Sequence, residues 1–334
     1  MFLDCAISEE DPIKHTGGIP QRTIGEIFGK NASLKSTTTQ YVMKSVLEDD
    51  KDNQVVAVYS EEPNTRMMKQ MGLDFNRIHA IGCYEDEETK LKTAERQLDI
   101  VKKAVQDDSV KLVVIDSIKA LCSTKQIYDK KGDIRDLDEE EQMAIRAKLI
   151  GNFIRDFTSL NRKAILLMTN QVSDKLGMTF EVGPELRPTT PGGRFMEYMA
   201  HLRIEAATKP IYTDPHPLTD KKLLKGYELW YKLVKNKYNE GLGMKSVMTE
   251  FYLNPPGFRR SEEVLRLAEF LNIVEKGGGG NFTIEGKKVR GQDNVINLLD
   301  TDIAMREEIA KKVFARRKEL FLDNTSAAEA NLLA

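Results

Sequence analysis

The 334 residues carry 50 basic and 52 acidic side chains, for a formal net charge of −2, and 40% of the residues are hydrophobic. This length allows one large core and a smaller domain, and no apolar run is long enough to span a membrane. The start is not a signal peptide, and three widely spaced cysteines favour a reduced, cytoplasmic setting over a disulfide framework or a zinc site. A nucleic-acid-binding function would need positive charge concentrated locally, because the chain as a whole is not basic.

The first predicted strand covers residues 23–28 and leads through a short loop into a predicted helix over residues 37–47. This layout is that of a phosphate-binding P-loop, in which backbone N–H groups and the helix N-terminus face the phosphates. Lys35 would reach the β- and γ-phosphates, and the Ser36 hydroxyl would hold Mg²⁺. Leu34 stands where the pattern has glycine, so a helix start without a ligand is the alternative. The candidate nucleotide-binding residues of this loop are Gly29, Lys30, Asn31, Ala32, Ser33, Leu34, Lys35, Ser36 and Thr37.

Further apolar runs alternate with amphipathic stretches. Buried strands are predicted over residues 55–59, 112–116 and 164–170, and helices over residues 87–107 and 139–160. Alternation of this kind predicts an α/β fold with a mostly parallel sheet flanked by helices. Later strands are predicted over residues 202–206, 228–234 and 247–253, and residues 209–225 have the composition of a surface insertion.

A second, smaller unit is predicted after residue 256. Its expected elements are a helix over residues 262–272, a glycine turn at 277–280, a hairpin at 282–289 and a helix over 302–320. We therefore expect a short lead (1–16), a core (17–256), a small C-terminal domain (257–322) and a disordered tail (323–334).

Polar side chains end three of the predicted strands. Asp116 follows a buried strand downstream of the P-loop, which is the Walker-B arrangement for a residue that orients the Mg²⁺ shell; a capping aspartate is the alternative. Either Glu61 or Glu62 could polarise an attacking water, but not both, because adjacent strand residues face opposite ways. Gln171 could sense a γ-phosphate through its amide, although a glutamine at a strand end is also common.

The segment that follows Gln171, residues 172–193, is long and rich in glycine, proline and threonine. Loops of this length are usually functional or disordered, and hydroxyls, cations and glycines suit the phosphates of single-stranded DNA. Its candidate DNA-binding residues are Lys175, Arg187, Thr189, Thr190, Gly192 and Gly193. Lys235 and Lys237 place two further cations on a short turn, for which a solvated lysine pair is the alternative.

Taken in order, these motifs resemble the RecA recombinase family, including its bacteriophage members of the UvsX type. The resemblance spans roughly residues 3 to 320. Leu34 fits it, because a large apolar residue before the P-loop lysine resembles the phage members. The matching segments are residues 17–20, 27–29, 35–36, 114–117, 169–171, 189–193, 234–237, 263–267, 273–276 and 284–289.

The resemblance implies a doubly wound ATPase core and a small α+β C-terminal domain that gathers duplex DNA. It implies ATP and Mg²⁺ as cofactors, single- and double-stranded DNA as partners, and a homo-oligomer, as a helical filament or a ring, with ATP between subunits. A loading mediator or a single-strand-binding protein would be a further partner.

The resemblance also assigns roles at the nucleotide. Lys35 and Ser36 become phosphate and Mg²⁺ ligands, with Asp116 as the Walker-B residue. Glu62 aligns better than Glu61 with the water-activating glutamate, and Gln171 matches the sensor. Two cations, Lys235 and Lys237, match residues that reach a neighbouring subunit's ATP as arginine fingers do.

Two DNA-contacting positions are implied as well. Leu176 matches an apolar wedge between base steps, and Arg146 matches an arginine just after the first DNA loop. The chain departs from the family in two places. Residues 136–141, in the first DNA loop, are acidic, and only 16 residues precede Gly17, where family members carry a helix and a strand.

We therefore expect a DNA-dependent ATPase that forms an ATP-dependent filament on single-stranded DNA and promotes homologous pairing and strand exchange. The alternative is a non-catalytic RecA-like mediator with a degenerate P-loop. A hexameric helicase fits less well, because it does not account for residues 235–237 or the C-terminal unit. The setting would be the cytoplasm of a bacterial or phage-infected cell.

Overall fold

The computed structural model describes residues 18–82, 93–129, 131–134, 139–172, 193–215, 221–238 and 246–332. They form two compact units. The first contains Gln21–Thr208 and Lys232–Lys237, and the second contains residues 18–20, Lys209–Tyr231 and the described residues from Tyr238 onward. The predicted lead (1–16), Gly17 and acidic residues 136–138 lie outside the described residues.

The first unit is built on a mostly parallel sheet, as predicted. Its strands lie in the order β3-β2-β4-β5-β1-β6-β7, and the pairs from β3 to β6 are parallel. The carboxyl ends of β4, β5 and β1 are therefore neighbours at one edge. The strands are β1 (Ile24–Gly29), β2 (Gln54–Tyr59), β3 (Ile78–Ile81), β4 (Val110–Asp116), β5 (Ile165–Gln171), β6 (Leu202–Tyr212) and β7 (Leu224–Asn236), of which the last two run on into the second unit.

Helices cover both faces of this sheet. Successive residues of a strand face opposite sides, and Val113 and Ile115 pack in one buried cluster with Leu98 of α3 and Phe153 of α5. On the other face the Tyr59 hydroxyl lies 3.8 Å from Met43 Sδ of α1. The described helices of this unit are α1 (Lys35–Asp49), α2 (Thr65–Gln70), α3 (Ala94–Ala104), α4 (Thr124–Ile127), α5 (Glu139–Leu160) and α6 (Gly193–Met199).

The second unit contains the strand order β6-β7-β8-β9 and a separate small sheet, β10-β11-β12, whose pairs are antiparallel. Helix α9 packs against α7 and α8. The elements are β8 (Ser246–Leu253), β9 (Pro256–Phe258), α7 (Arg260–Phe270), β10 (Glu275–Lys276), β11 (Asn281–Ile284), β12 (Lys287–Arg290), α8 (Gln292–Thr301) and α9 (Ile303–Leu332).

Several sequence-based boundaries need correction. The two ends of the predicted surface insertion belong to strands, since β6 extends to Tyr212 and β7 begins at Leu224. Sequence patterns missed these strand ends because their residues are exposed on both faces and lack the alternation that marks a strand. The tail predicted to be disordered continues α9 as far as Leu332, in keeping with the high helix propensity of its alanines. The domain boundary predicted after residue 256 falls inside β9. None of the described helices is both long and apolar enough to cross a membrane.

Candidate nucleotide site

The loop between β1 and α1 packs closely against β6. A Cβ atom added at Gly29 would lie 2.2 Å from the Ala206 carbonyl oxygen and 2.7 Å from Ser33 Oγ. Both distances are shorter than any real contact of a Cβ atom, so glycine is required at this first position of the loop. The Thr208 hydroxyl donates to the Ala32 carbonyl at 3.1 Å and holds the middle of the loop to the same strand.

Leu34 adopts the backbone conformation that a glycine would take. Its φ and ψ are 56° and 27°, in the left-handed region, and it is the N-cap of α1 without a capping side chain. Ala32 also has a positive φ, of 59°. Because glycine enters this region without a steric cost, its usual role here is conformational. Leu34 therefore takes up a conformation that suits the glycine of the sequence pattern, although it departs from that pattern.

We expect Leu34→Gly to leave the free energy of unfolding within about 1 kcal/mol of wild type, because lost left-handed strain and added chain entropy offset each other. Leu34→Val should instead lose about 1–2 kcal/mol, since a β-branched residue fits this region poorly. Chemical denaturation measures both. Equal losses in the two variants would contradict the backbone account.

Lys35 turns back over its own loop. Its Nζ donates to the carbonyl oxygens of Gly29 and Lys30 at 3.2 and 2.7 Å and lies 3.2 Å from Ser33 Oγ. Burial lowers the pKa of the Lys35 ammonium, and the negative charge of Asp116 opposes that shift. The predicted phosphate-binding lysine and the predicted Walker-B aspartate therefore share one electrostatic environment.

Asp116 ends β4 beside the end of β5. Its Oδ1 accepts a hydrogen bond from the Thr169 hydroxyl at 2.5 Å. The Ser36 side chain, at the start of α1, is exposed. Within the described part of the chain no three His, Cys, Asp or Glu side chains form a metal-binding group. One hydroxyl, one carboxylate and phosphate oxygens fit Mg²⁺, which is commonly held through few protein ligands and substrate phosphates.

Gln171 lies next to the start of the P-loop. It pairs with Gly29 in the β1–β5 register, and the N–H of the following residue, Val172, donates to the Gly29 carbonyl at 3.3 Å. Its side-chain Oε1 accepts a hydrogen bond from Lys119 Nζ at 3.0 Å. Lys119 is absent from the sequence-based candidates; its only signal is a cation three residues after Asp116.

A buried polar network lies behind this edge of the sheet. Glu26 on β1 is fully buried, and its two oxygens accept from Asn170 Nδ2 at 2.8 Å and from Arg203 Nε at 2.7 Å. Arg203 also lies 3.5 Å from a Glu197 oxygen of α6 and 5.0 Å above the Phe28 ring. This network, which the sequence analysis missed, joins the residue before Gln171 to the helix that follows residues 173–192.

Lys235 and Lys237 differ in their burial and in their contacts. Lys235 Nζ donates to the Glu197 and Tyr198 carbonyls at the end of α6, at 2.5 and 2.9 Å. Burial lowers the pKa of Lys235, helped by the charges of Lys237 and Arg203. The Lys237 side chain is exposed, and its backbone N–H donates to the His201 carbonyl at 2.9 Å.

The other predicted residues are less constrained. Glu61 and Glu62 both follow β2 and are exposed, so the choice between them stays a prediction. Arg146 on α5 is half-buried and donates to the Leu121 carbonyl at 3.3 Å. Gly193 begins α6. The remaining predicted DNA-binding residues, Lys175, Leu176, Arg187, Thr189, Thr190 and Gly192, lie outside the described residues.

Comparison with known proteins gives the same family as the motifs. A family model described as the RecA N-terminal domain matches residues 8–252. The protein called Protein RecA from Mesomycoplasma hyopneumoniae (strain J) is 26% identical over 308 residues, which cover 91% of this chain and 82% of that protein. Protein RecA from Ehrlichia canis (strain Jake) is 28% identical over 300 residues, 89% of this chain and 76% of that protein. Protein RecA from Streptococcus pyogenes (serotype M5, strain Manfredo) is 28% identical over 302 residues, 89% and 72% of the two chains.

These matches support the function expected from the motifs, that of a RecA-like recombinase. The family model alone covers well over half of the chain. The chain therefore belongs to the RecA N-terminal domain family.

Proposed function

We propose that this protein is a DNA-dependent ATPase that assembles on single-stranded DNA and promotes homologous pairing and strand exchange. The observation that carries the proposal is a backbone hydrogen bond between the P-loop and the start of the predicted DNA loop. The Val172 N–H donates it to the Gly29 carbonyl oxygen. A change at the γ-phosphate would reach residues 173–192 through this contact and through Gln171.

MgATP would supply the transferable γ-phosphate, and each predicted residue has a separate task. Lys35 would contribute positive charge to the β- and γ-phosphates, and Ser36 and Asp116 would hold the Mg²⁺ shell. Glu62 would accept a proton from the attacking water, and the Gln171 amide would donate to the γ-phosphate.

The DNA-binding part of the proposal rests on residue type. Arg146, Lys175 and Arg187 would pair with backbone phosphates, and Thr189, Thr190, Gly192 and Gly193 would add hydroxyl and backbone donors. Leu176 would wedge between bases. The protein would read the backbone and leave sequence recognition to base pairing.

We also propose that copies of this chain form a filament in which Lys235 and Lys237 act on a neighbour's ATP. Lys235 would then have to leave the carbonyls at the end of α6, which makes the position of that helix sensitive to assembly. The phage UvsX-like subtype and a loading partner belong to the same proposal, the subtype on account of Leu34.

The primary experiment is ATP turnover by the full chain with and without single-stranded DNA. We expect the rate to rise when DNA is added. A protein that binds DNA but turns over ATP equally slowly in both conditions would be the non-catalytic mediator. Electron microscopy with a non-hydrolysable ATP analogue and DNA would distinguish filaments, rings and monomers.

We expect the affinity for single-stranded DNA to fall about 10- to 100-fold between about 50 and 200 mM salt, because lysine and arginine side chains that bind phosphates displace counterions from the DNA. Fluorescence anisotropy with a labelled oligonucleotide, at constant MgATP analogue, measures the slope. An affinity independent of salt would contradict recognition through the phosphate backbone.

A further inference from the structure

The backbone at the end of β5 is fixed from two sides. Gln171 N–H donates to the Asn170 side-chain oxygen at 3.0 Å, and the same Asn170 amide donates to the buried Glu26. Strand pairing with β1 holds Gln171 opposite Gly29. These contacts position the Gln171 backbone, but they leave open which end of its side-chain amide points in which direction.

Lys119 decides that orientation. The Lys119 ammonium donates to Gln171 Oε1 at 3.0 Å. An ammonium group has three donors and no acceptor, so only the amide oxygen can face it. The amide NH₂ group is consequently turned away from Lys119. A phosphate offers only acceptor oxygens at neutral pH, and an amide can bind it only through that NH₂ group.

The backbone that carries Lys119 is anchored in the core. It lies on a single helical turn, Ile118–Ala120, directly after the Asp116–Ser117 pair. Ile118 is fully buried in the main core cluster and anchors the turn. The ends of β4 and β5 are therefore linked twice, by Thr169 to Asp116 at 2.5 Å and by Lys119 to Gln171 at 3.0 Å.

We infer that Lys119 is a positioning residue for Gln171. It binds the amide oxygen and so leaves the amide NH₂ group free to face the γ-phosphate oxygens. This inference rests on the proposed function, because it assigns a partner to the γ-phosphate sensor. Lys119 acts through Gln171 and needs no contact of its own with the nucleotide. Its contribution should therefore vanish when Gln171 can no longer form the contact.

A double-mutant cycle on the full chain tests this. ATP turnover is measured against ATP concentration, with saturating single-stranded DNA, for wild type, Lys119→Met, Gln171→Ala and the double variant. We expect Lys119→Met to lower kcat about tenfold, within the range of coupling between contacting residues, with KM for ATP changed less than about twofold. In the Gln171→Ala background the same change should have no further effect.

Two further variants test whether a cationic donor at position 119, and not the loss of any lysine near β4, sets the rate. Lys119→Arg keeps a donor and should recover most of the lost kcat. Lys111→Met is the matched control, because this lysine lies on β4, the strand that precedes the Lys119 turn, and donates to a backbone carbonyl, that of Asp108, at 2.6 Å. It should retain the wild-type rate.

The outcomes distinguish this inference from the proposed function. Equal losses from Lys119→Met in both backgrounds would mean that Lys119 acts independently of Gln171 and would overturn the inference. An unchanged kcat in Lys119→Met would do the same while wild-type turnover stands. A wild-type protein that neither binds an ATP analogue nor hydrolyses ATP would overturn the proposed function and the role of Lys119 with it.

Discussion

A Lys35→Ala variant should lose ATP turnover by about 100- to 1,000-fold while keeping its fold. Removing one preorganised positive group from a phosphoryl-transfer site has an effect of this size, because charge develops on oxygens that the group faces. The ammonium lies over its own loop, within 3.2 Å of the Gly29 carbonyl oxygen, and would exchange these loop contacts for phosphate oxygens. Steady-state turnover with single-stranded DNA measures the loss.

Folding must be checked beside activity, because Lys35 makes three hydrogen bonds within the loop. Their net contribution is small, and we expect the free energy of unfolding to change by less than about 2 kcal/mol. Lys44→Ala is the control: it lies on the same helix and pairs with Glu48 at 3.6 Å on the surface. A Lys35→Ala variant that is well folded and turns over ATP at the wild-type rate would refute the P-loop assignment.

The strands that could be predicted from the sequence are those whose buried residues follow one another without a break. β2, β4 and β5 are buried along nearly their whole length, and the structure confirms them within one or two residues. β3 was missed, because it has only four residues and its two middle residues, His79 and Ala80, are exposed. Exposure on both faces likewise concealed the ends of β6 and β7.

The candidate site divides in the same way. Gly29, Lys35, Asp116 and Gln171 were predicted because each stands at a recognisable place relative to a strand or helix. Glu26 and Arg203 could not be found, because they are 177 residues apart and meet only through the strand order β5-β1-β6. Lys119 was missed for the same reason, since 52 residues separate it from Gln171.

The pairing of Glu26 with Arg203 carries the second large prediction. An Arg203→Met variant should lose about 3–5 kcal/mol of unfolding free energy, because it leaves a carboxylate buried without its cation. The side chains of Glu26 and Arg203 are 0% and 8% exposed. The Asn170 hydrogen bond to Glu26 would remain, but an amide does not neutralise the charge. Denaturant unfolding, with the slope compared between variants, measures the loss.

Burial, not distance, sets the size of this effect, and the chain supplies a control that separates the two. Lys102 lies 2.6 Å from Asp99 and 3.1 Å from Asp156, as close as Arg203 lies to Glu26, but those carboxylates are 60% and 50% exposed. Lys102→Met should therefore lose less than about 1 kcal/mol. Combining Glu26→Gln with Arg203→Met removes the stranded charge and should recover part of the single-variant loss. A double variant no more stable than Arg203→Met alone would contradict this account. The loss in Arg203→Met would then come from lost packing of Arg203 against Phe28, and not from a buried, unpaired Glu26 carboxylate.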